Sequence, residues 1–155
     1  MSTAELSPLE LDAWGGLLRT HFIVRRELER RLLKSHGLHL SSYGVLLRLA
    51  WAEGAGIRMS ELAEQAMMTS GGLTRLADRL EREGLIARSR STDDLRGSEA
   101  RITPAGRDVL RDANRQHLAD IRELFLDHVT EEELKVLSGV WGRVKAANAE
   151  LNITV

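Results

Sequence analysis

Apolar residues recur every three or four positions along most of this chain, which is the period of an α-helix with one buried face. The first such segment, residues 11–33, carries two adjacent apolar rows, the first of them at four-residue spacing. Gly37 follows the segment in a position suited to the left-handed end of a helix. The two rows make a stripe wider than a small monomer can bury, so we expect a second subunit to cover part of it. The rows consist of Trp14, Leu18 and Phe22, and of Leu17, His21, Val24 and Leu28.

Two shorter helices are expected next. The second helix can be capped by Ser41 or Ser42 and ends near the glycine-containing stretch 53–56. A third helix is expected over residues 61–66, with Ser60 as its cap. Both segments carry apolar residues at helical spacing, which indicates that each has one buried face.

The fourth helix has the clearest separation of faces. It begins at Thr69 or Ser70, which can cap it, runs to about Glu83 and is closed by Gly84. At about 100° per residue, its leucines and Ala77 fall on one side. The other side holds small, hydroxyl-bearing and charged residues, namely Gly71, Thr74, Arg75, Asp78, Arg79 and Arg82.

The period of the pattern changes after the fourth helix. Residues 85–90 and 99–103 are short, partly alternating segments, and the polar stretch 91–98 with Gly97 separates them. Two such segments around a turn-forming stretch predict a β-hairpin with a long loop. A pair of short helices followed by a hairpin is typical of a winged helix-turn-helix, in which the third and fourth helices form the motif and the hairpin is the wing.

Two more helices complete the pattern. Thr103 followed by Pro104 predicts the start of a fifth helix, because proline is favoured at the first helical position. Thr130 and Glu133 form a capping box that opens a sixth helix. The apolar residues of both helices repeat every three or four positions, as they do in the first helix.

The predicted fold is therefore mainly α with a small β-hairpin wing. Residues 41–104 form the winged helix-turn-helix region. The first, fifth and sixth helices come from opposite ends of the chain and carry apolar faces, so we expect them to pack together. Residues 1–40 and 105–155 are accordingly predicted to form a dimerisation region that joins two copies in a homodimer.

The composition excludes several classes of protein. Charged residues make up 29% of the chain and no apolar run approaches the roughly 20 residues that span a bilayer, which excludes a membrane protein. Residues 1–8 lack the basic and apolar regions of a signal peptide. There are no cysteines, so neither disulfides nor thiolate metal sites can form. We expect a protein of the cytoplasm.

The net charge of −1 argues weakly against a nucleic-acid partner unless basic residues are concentrated on one surface. The outward side of the fourth helix supplies such a surface. A recognition helix presents its N-terminal residues to base edges in the major groove, where arginine can make two hydrogen bonds to guanine, while hydroxyls and helix amides can hold phosphates. The predicted contacts with double-stranded DNA are Thr69, Ser70, Gly71, Gly72, Thr74, Arg75 and Arg79.

The glycine pair strengthens this interpretation. Each glycine in a helix is about 0.5–1 kcal/mol less favourable than alanine, so Gly71 and Gly72 in the first turn are better explained by the close approach of another surface. One alternative is that the helix starts later, at Leu73. Another is that the whole polar face is a solvated, salt-bridged surface, with Asp78 paired to Arg75 or Arg82.

The hairpin adds arginines of its own. Arg88 and Arg90 lie on the same face of its first strand, and Arg96 lies in the loop, where Asp93 and Asp94 can pair with an arginine or stabilise the turn. An arginine at a hairpin tip suits a narrow minor groove, in which the negative potential is enhanced. We therefore predict DNA contacts from all three arginines. The alternative is a flexible charged loop.

Three segments of the chain resemble the multiple antibiotic resistance regulator (MarR) family of bacterial transcription factors. They are Ser60-Glu61-Leu62-Ala63, residues 74–86, and Asp94-Leu95-Arg96 followed by residues 101–106. The element order is similar over nearly the whole chain. Leu95 departs from the family's wing pattern because it stands where the first wing arginine is expected, whereas Arg96 matches the second. The resemblance implies a homodimer on a pseudo-palindromic operator, often acting as a repressor.

The resemblance also implies a small effector, since many members release DNA when a phenolic or anionic aromatic compound binds between the two regions. Near the first two helices the candidates for its pocket are Trp14, His21, His39 and Tyr43, because histidine can pair with a carboxylate and an aromatic ring can stack. Trp14 and His21 could instead be packing residues of the apolar rows. No metal or other cofactor is expected, because the five histidines show no tight ligand motif.

Two other classes of function were weighed against DNA binding. An enzyme is not expected, because the chain has no nucleophile elbow, phosphate loop or metal motif and no acid–base pair on a shared face. A protein-interaction module that uses a winged helix without DNA stays open, because the net charge is close to zero.

Overall fold

The computed structural model describes residues 5–52, 54–90 and 98–149. Its helices and a small antiparallel sheet confirm the predicted winged helix-turn-helix class. In chain order the elements are α1 (Pro8–His36), α2 (Leu40–Trp51), β1 (Ile57–Arg58), α3 (Met59–Gln65), α4 (Ser70–Arg82), β2 (Ile86–Arg90), β3 (Ser98–Ile102), α5 (Pro104–Leu124), a 3-10 turn (Leu126–His128) and α6 (Glu131–Ala147). No helix within these described ranges is both long and apolar enough to cross a bilayer.

Most helix ends follow the local signals in the sequence. Gly37 ends α1 with a φ of 62°, in the left-handed region that glycine adopts readily. The Thr103 hydroxyl caps α5 by accepting a hydrogen bond from the Gly106 amide, and Thr130 opens α6 with the predicted capping box. Each of these signals acts within a few residues of the helix end, which is why the sequence alone reveals it.

The predicted cap of α2 on Ser41 or Ser42 is wrong. The helix begins at Leu40, two or three residues before the predicted start, and the cap comes from another helix. A carboxylate oxygen of Glu29 in α1 accepts a hydrogen bond from the Leu40 amide at 2.7 Å, and the other lies 2.7 Å from Nδ1 of His39. Ser42 is buried instead, so it is unavailable as a surface cap.

The predicted cap of α3 on Ser60 is also wrong. The helix begins at Met59, immediately after the two-residue strand β1, so the chain passes from strand to helix without a loop. Within this strand Ile57 lies opposite Ala100 of β3. Sequence analysis missed β1 because two residues are too short to show an alternating pattern.

The sheet has the order β1-β3-β2, with both pairs antiparallel. Ile86 lies opposite Ile102, and Arg90 lies opposite Ser98, which confirms the predicted hairpin. The inward residues of the sheet meet α2, α3, α4 and the start of α5 in one apolar core. Its fully buried large side chains include Leu46, Leu49, Leu62, Leu73, Leu80 and Ile86.

The long helices are covered much less completely. In α1 only Leu28 and Leu32 are buried, and no residue of α6 is buried. The apolar stripe predicted on α1 is therefore present but exposed over the N-terminal half of the helix. The exposed large apolar residues of these two helices are Leu9, Leu11, Trp14, Leu17, Leu18, Phe22 and Ile23 in α1, and Val136, Trp141 and Val144 in α6.

A network of charged side chains joins α1 to α5. Arg31 donates hydrogen bonds to Asp120 at 3.0 Å and to both carboxylate oxygens of Glu123, at 2.8 and 2.9 Å. It also bonds Glu27 within α1, and hydrogen bonds from Arg30 and Arg31 lower the pKa of Glu27 to about 2. Asp120 is buried, so its charge needs this partner. The network fixes the C-terminal half of α1 against α5.

His117 is a buried titratable group where α2 meets α5. It is 5% exposed, and its ring centroid lies 4.4 Å from that of Tyr43. Among the described residues, Nδ1 of His117 has no hydrogen-bond partner. Burial lowers the pKa of His117 from its ordinary value, and the charge of Asp120 opposes part of this shift. The fold therefore favours the neutral imidazole.

Stability should consequently fall in mild acid. In the unfolded chain His117 binds a proton near pH 6.5, whereas in the folded chain it does so only at lower pH. The contribution of neutral His117 to the free energy of unfolding is therefore complete above pH 6.5 and is lost as the pH falls. We expect His117→Gln to flatten the pH dependence of the urea midpoint between roughly pH 7 and 5. His128→Gln, at an exposed histidine, is the matched control and should keep the wild-type slope. A wild-type slope in His117→Gln would contradict this assignment.

Candidate nucleic-acid interface

The two faces of α4 are separated as predicted. Leu73, Leu76, Ala77 and Leu80 are buried in the core. The exposed side carries Gly71, Thr74, Arg75 and Arg82. The buried leucines fix the rotation of the helix about its axis, so they determine which side chains face away from the protein.

The N-terminal end of α4 is open and well formed. Thr69 caps the helix by accepting a hydrogen bond from the Gly72 amide at 3.0 Å, and the Thr74 hydroxyl donates to the Ser70 carbonyl at 2.8 Å. The alternative that the helix starts at Leu73 is wrong, because both glycines lie in its first turn. Amides at the start of a helix have no acceptor in its own hydrogen-bond ladder, so those of Ser70 and Gly71 are suited to an external anion.

The glycine pair leaves this end of the helix free of obstruction. A Cβ placed on Gly71 would meet nothing within 4 Å. A Cβ placed on Gly72 would lie 2.9 Å from the capping oxygen of Thr69, so a larger residue there would disturb the cap. Gly72 thus has a structural role, whereas Gly71 faces open space among the described residues.

Arg75 is the arginine best placed for an outside partner. It is exposed one turn along the helix from Gly71, and no ion pair involves it within the described ranges. Its guanidinium can therefore be presented to a ligand without first breaking an internal contact. A planar fork of donors suits paired acceptors such as guanine O6 and N7.

Arg79 turns back towards the protein. Its guanidinium donates to the hydroxyl of the buried Ser42 in α2 at 2.7 Å and lies 3.9 Å from Glu83. This contact holds the middle of α4 against α2. The partner of Ser42 lies 37 positions away in the chain, so local pattern could not reveal it.

Arg88 joins the first strand of the wing to α4. Its guanidinium lies 2.6 Å from carboxylate oxygens of both Asp78 and Glu81, and its backbone amide donates to Glu81 at 3.0 Å. Hydrogen bonds from Arg88 lower the pKa of Glu81 and keep it charged. The expected pairing of Asp78 with Arg75 or Arg82 is wrong, because its partner belongs to the next element.

The remaining wing predictions are only partly within the described residues. Arg90 lies in β2, and the structure describes its backbone but not its side chain. Arg96 falls outside the described residues, as do Asp93, Asp94 and Leu95. The DNA contacts predicted for Arg90 and Arg96 therefore stay predictions.

A cleft of about 360 Å³ lies beside α1 and the start of α2. It is a candidate small-molecule site, because it combines an aromatic ring, three groups that can carry positive charge, one carboxylate and a hydroxyl. Its lining residues are His21, Phe22, Arg25, Arg26, Glu29 and Ser41.

The four predicted effector residues are not brought together. His21 lines the cleft, and His39 lies next to it through its contact with Glu29. Trp14 is exposed two turns earlier on α1, and Tyr43 is buried with its hydroxyl bonded to Asn114. Sequence analysis missed the arginine pair of the cleft, although two adjacent arginines one turn after His21 were a usable signal. Among the described residues, no cluster of three side chains could hold a metal ion.

These elements define the class of protein. A two-helix motif whose second helix is open at its N-terminal end, followed by a β-hairpin held against that helix, is a winged helix-turn-helix. This arrangement is used by proteins that read duplex DNA.

Comparison with known proteins identifies the family. Residues 42–98 match the sequence profile of the MarR family. An HTH-type transcriptional regulator of Bacillus cereus is 32% identical over 111 residues, which is 72% of each chain. The crystal structure of Sco3205, a MarR family transcriptional regulator from Streptomyces coelicolor, in complex with DNA, is 30% identical, covers 94% of this chain and 93% of that chain, and has a TM-score of 0.87. AbsC, a MarR family regulator from the same organism, is 28% identical, covers 96% and 99%, and has a TM-score of 0.89.

The chain therefore belongs to the MarR family of transcriptional regulators. This confirms the resemblance found in the sequence. The relatives are transcriptional regulators and not enzymes, so membership of the family also confirms the prediction that the chain is not an enzyme.

Proposed function

We propose that this protein is a homodimeric repressor of the cytoplasm that binds a pseudo-palindromic operator in duplex DNA and releases it when a small aromatic or anionic ligand binds. The observation that carries the proposal is the open outward side of α4. There the unobstructed Gly71 and the helix N-terminus lie beside the exposed Arg75, which has no ion pair among the described residues. In this account Thr69 and Ser70 hold phosphates, and Thr74 does so by turning its hydroxyl proton from the Ser70 carbonyl to a phosphate oxygen. Gly71 and Gly72 allow close approach, and Arg75 reads a base edge.

The wing contributes in two ways in this proposal. Arg90 and Arg96 reach the adjacent minor groove. Arg88 and Arg79 act by holding the wing and α2 against α4, and either could contact DNA only by exchanging its present carboxylate or hydroxyl partner. Fixed spacing between helix and wing is what allows both to engage one face of the duplex.

The dimer is supported by the exposed apolar surface of the long helices. Trp14 is 56% exposed and Phe22 is 63% exposed, and other apolar residues surround them on the same helix. An apolar patch of this extent on a polar chain is typical of a protein interface. We propose that residues 1–40 and 105–155 form it, leaving residues 41–104 to bind one half-site in each subunit.

Arg75→Ala tests the DNA interface. We expect a loss of about 1–3 kcal/mol in binding free energy, confined to one base position in each half-site, because a bidentate contact to guanine is removed. The measurement is fluorescence anisotropy on a duplex selected in vitro and on its single-base variants. Arg111→Ala, at an exposed arginine of α5 paired with Asp108, is the matched control and should bind as wild type does. Equal behaviour of the two variants would contradict the role of Arg75.

The effector site is proposed to be the cleft beside α1. Arg25 and Arg26 can pair with an anionic group, and Phe22 can stack on a ring. We expect benzoate, used as a probe, to weaken operator binding of the wild-type protein and to have no effect on Arg25→Ala/Arg26→Ala. Arg122→Ala, at an exposed arginine far along α5, should respond as wild type does. Benzoate release that survives the double substitution would place the effector elsewhere.

A further inference from the structure

Met67 lies in the turn between α3 and α4 in a backbone conformation that large side chains rarely adopt. Its φ is 52°, and no other residue except glycine has a positive φ within the described ranges. The Met67 amide donates to the Glu64 carbonyl at 3.0 Å, and the Met68 amide donates to the Ala63 carbonyl at 2.9 Å. This is the hydrogen-bond pattern of a left-handed helix end, where glycine is favoured because it has no Cβ to be crowded.

The fold makes little use of the Met67 side chain. It is 75% exposed, whereas its neighbour Met68 packs against the core. An exposed side chain gains little from burial, so the Met67 side chain itself does little to offset the unfavourable backbone conformation. A large apolar residue held open to solvent in this way indicates a contact with another molecule.

The position of Met67 indicates which molecule this is. It precedes the N-cap of α4, Thr69, by two residues, so its Cα lies within roughly 7 Å of the start of the helix. The same helix start carries Ser70 and Gly71, the residues proposed to meet the DNA. The major groove displays one apolar group among its polar base edges, the C5 methyl of thymine.

We propose that Met67 is a specificity-determining residue of the DNA interface and contacts the C5 methyl of one thymine in each half-site. The inference depends on the proposed function, because it requires the N-terminal end of α4 to lie in the major groove. A thioether side chain suits this contact, since it is unbranched, polarizable and able to follow an irregular apolar surface. Glycine at position 67 would keep the turn and lose the contact.

The test replaces each thymine of the selected duplex, one at a time, with deoxyuridine, which lacks only the C5 methyl. We expect the wild-type protein to lose about fourfold in affinity at one thymine of each half-site, the effect of exposing one methyl group. Met67→Gly should bind the unmodified duplex more weakly by a similar factor, and replacing that thymine with deoxyuridine should not weaken its binding further. Its unfolding temperature should be no lower than that of wild type. Met67→Leu, which keeps an apolar side chain, should retain the deoxyuridine effect.

Arg75→Ala separates this contact from the rest of the interface. It should bind more weakly overall and still respond to deoxyuridine as wild type does. If wild type and Met67→Gly respond alike at every thymine, the inference fails while the proposed function stands. If the wild-type protein shows no affinity for duplex DNA, the proposed function fails and the inference fails with it.

Discussion

Replacing Gly106 with alanine should destabilise the fold by about 3 kcal/mol and lower its thermal midpoint by roughly 10 °C. A Cβ at this position would overlap the backbone oxygen of Leu85 and would lie 2.9 Å from the side chain of Ile102. That oxygen also accepts a hydrogen bond from the Thr103 amide at 3.1 Å, so it cannot retreat without breaking the junction between the wing and α5. Differential scanning calorimetry measures the shift.

The matched control is Gly71→Ala, because the added methyl at that position meets nothing within 4 Å. We expect its thermal midpoint to be no lower than that of wild type, since alanine is the better helix former. Its affinity for DNA should nevertheless fall, because the methyl occupies space proposed for the duplex. A Gly106→Ala protein as stable as Gly71→Ala would show that the wing junction can yield.

Leu18→Glu should give a monomer and reduce affinity for an operator of two half-sites by a factor of about 100 or more. Leu18 is 49% exposed between Trp14 and Phe22 on the proposed dimer surface, where a carboxylate would lose its hydration without gaining a partner. With the dimer lost, each half-site is bound independently. Sedimentation at micromolar concentration and anisotropy on one-site and two-site duplexes measure the two effects.

Trp51→Glu is the control for this substitution, because it introduces the same side chain at an apolar position that is 71% exposed and lies outside residues 1–40 and 105–155. We expect it to stay dimeric. A Leu18→Glu protein that sediments as a dimer, or a wild-type protein that sediments as a monomer, would show that the exposed stripe of α1 does not join two copies.

The parts of the fold that the sequence predicted correctly are those whose causes are local. The inner face of α4 follows from spacing alone, and Thr130 opens α6 by bonding a residue three positions away. Gly106 belongs to the segment that resembles the MarR family, and the structure adds the physical reason for glycine there. Its Cα is packed directly against the Leu85 carbonyl.

The errors have long-range causes. The α2 cap is supplied by Glu29, which lies 11 positions from Leu40 on another helix. Asp78 was expected to pair with Arg75 or Arg82, and its contact with Arg88 depends on how the wing packs against α4. A helical wheel describes one element at a time, so it cannot show which charged residues form contacts with residues of another element.

The site was predictable to a similar degree. The exposed end of α4 followed from the leucine pattern and the glycine pair. The cleft could not be predicted from the sequence, because its lining combines residues of α1 with Ser41 of α2. Of the four predicted effector residues, only His21 lines it. Met67 carries no signal in the sequence at all, since its unusual backbone angle exists only in the folded turn.

Methylation interference on the selected duplex tests most directly whether the outward side of α4 lies in a major groove. Dimethyl sulfate methylates guanine at N7 in the major groove and adenine at N3 in the minor groove, so one experiment reports on both. We expect binding to be blocked by methylated guanines in two clusters about 10 base pairs apart, one for each subunit. Interference confined to adenine N3, or absent at every guanine, would contradict the account.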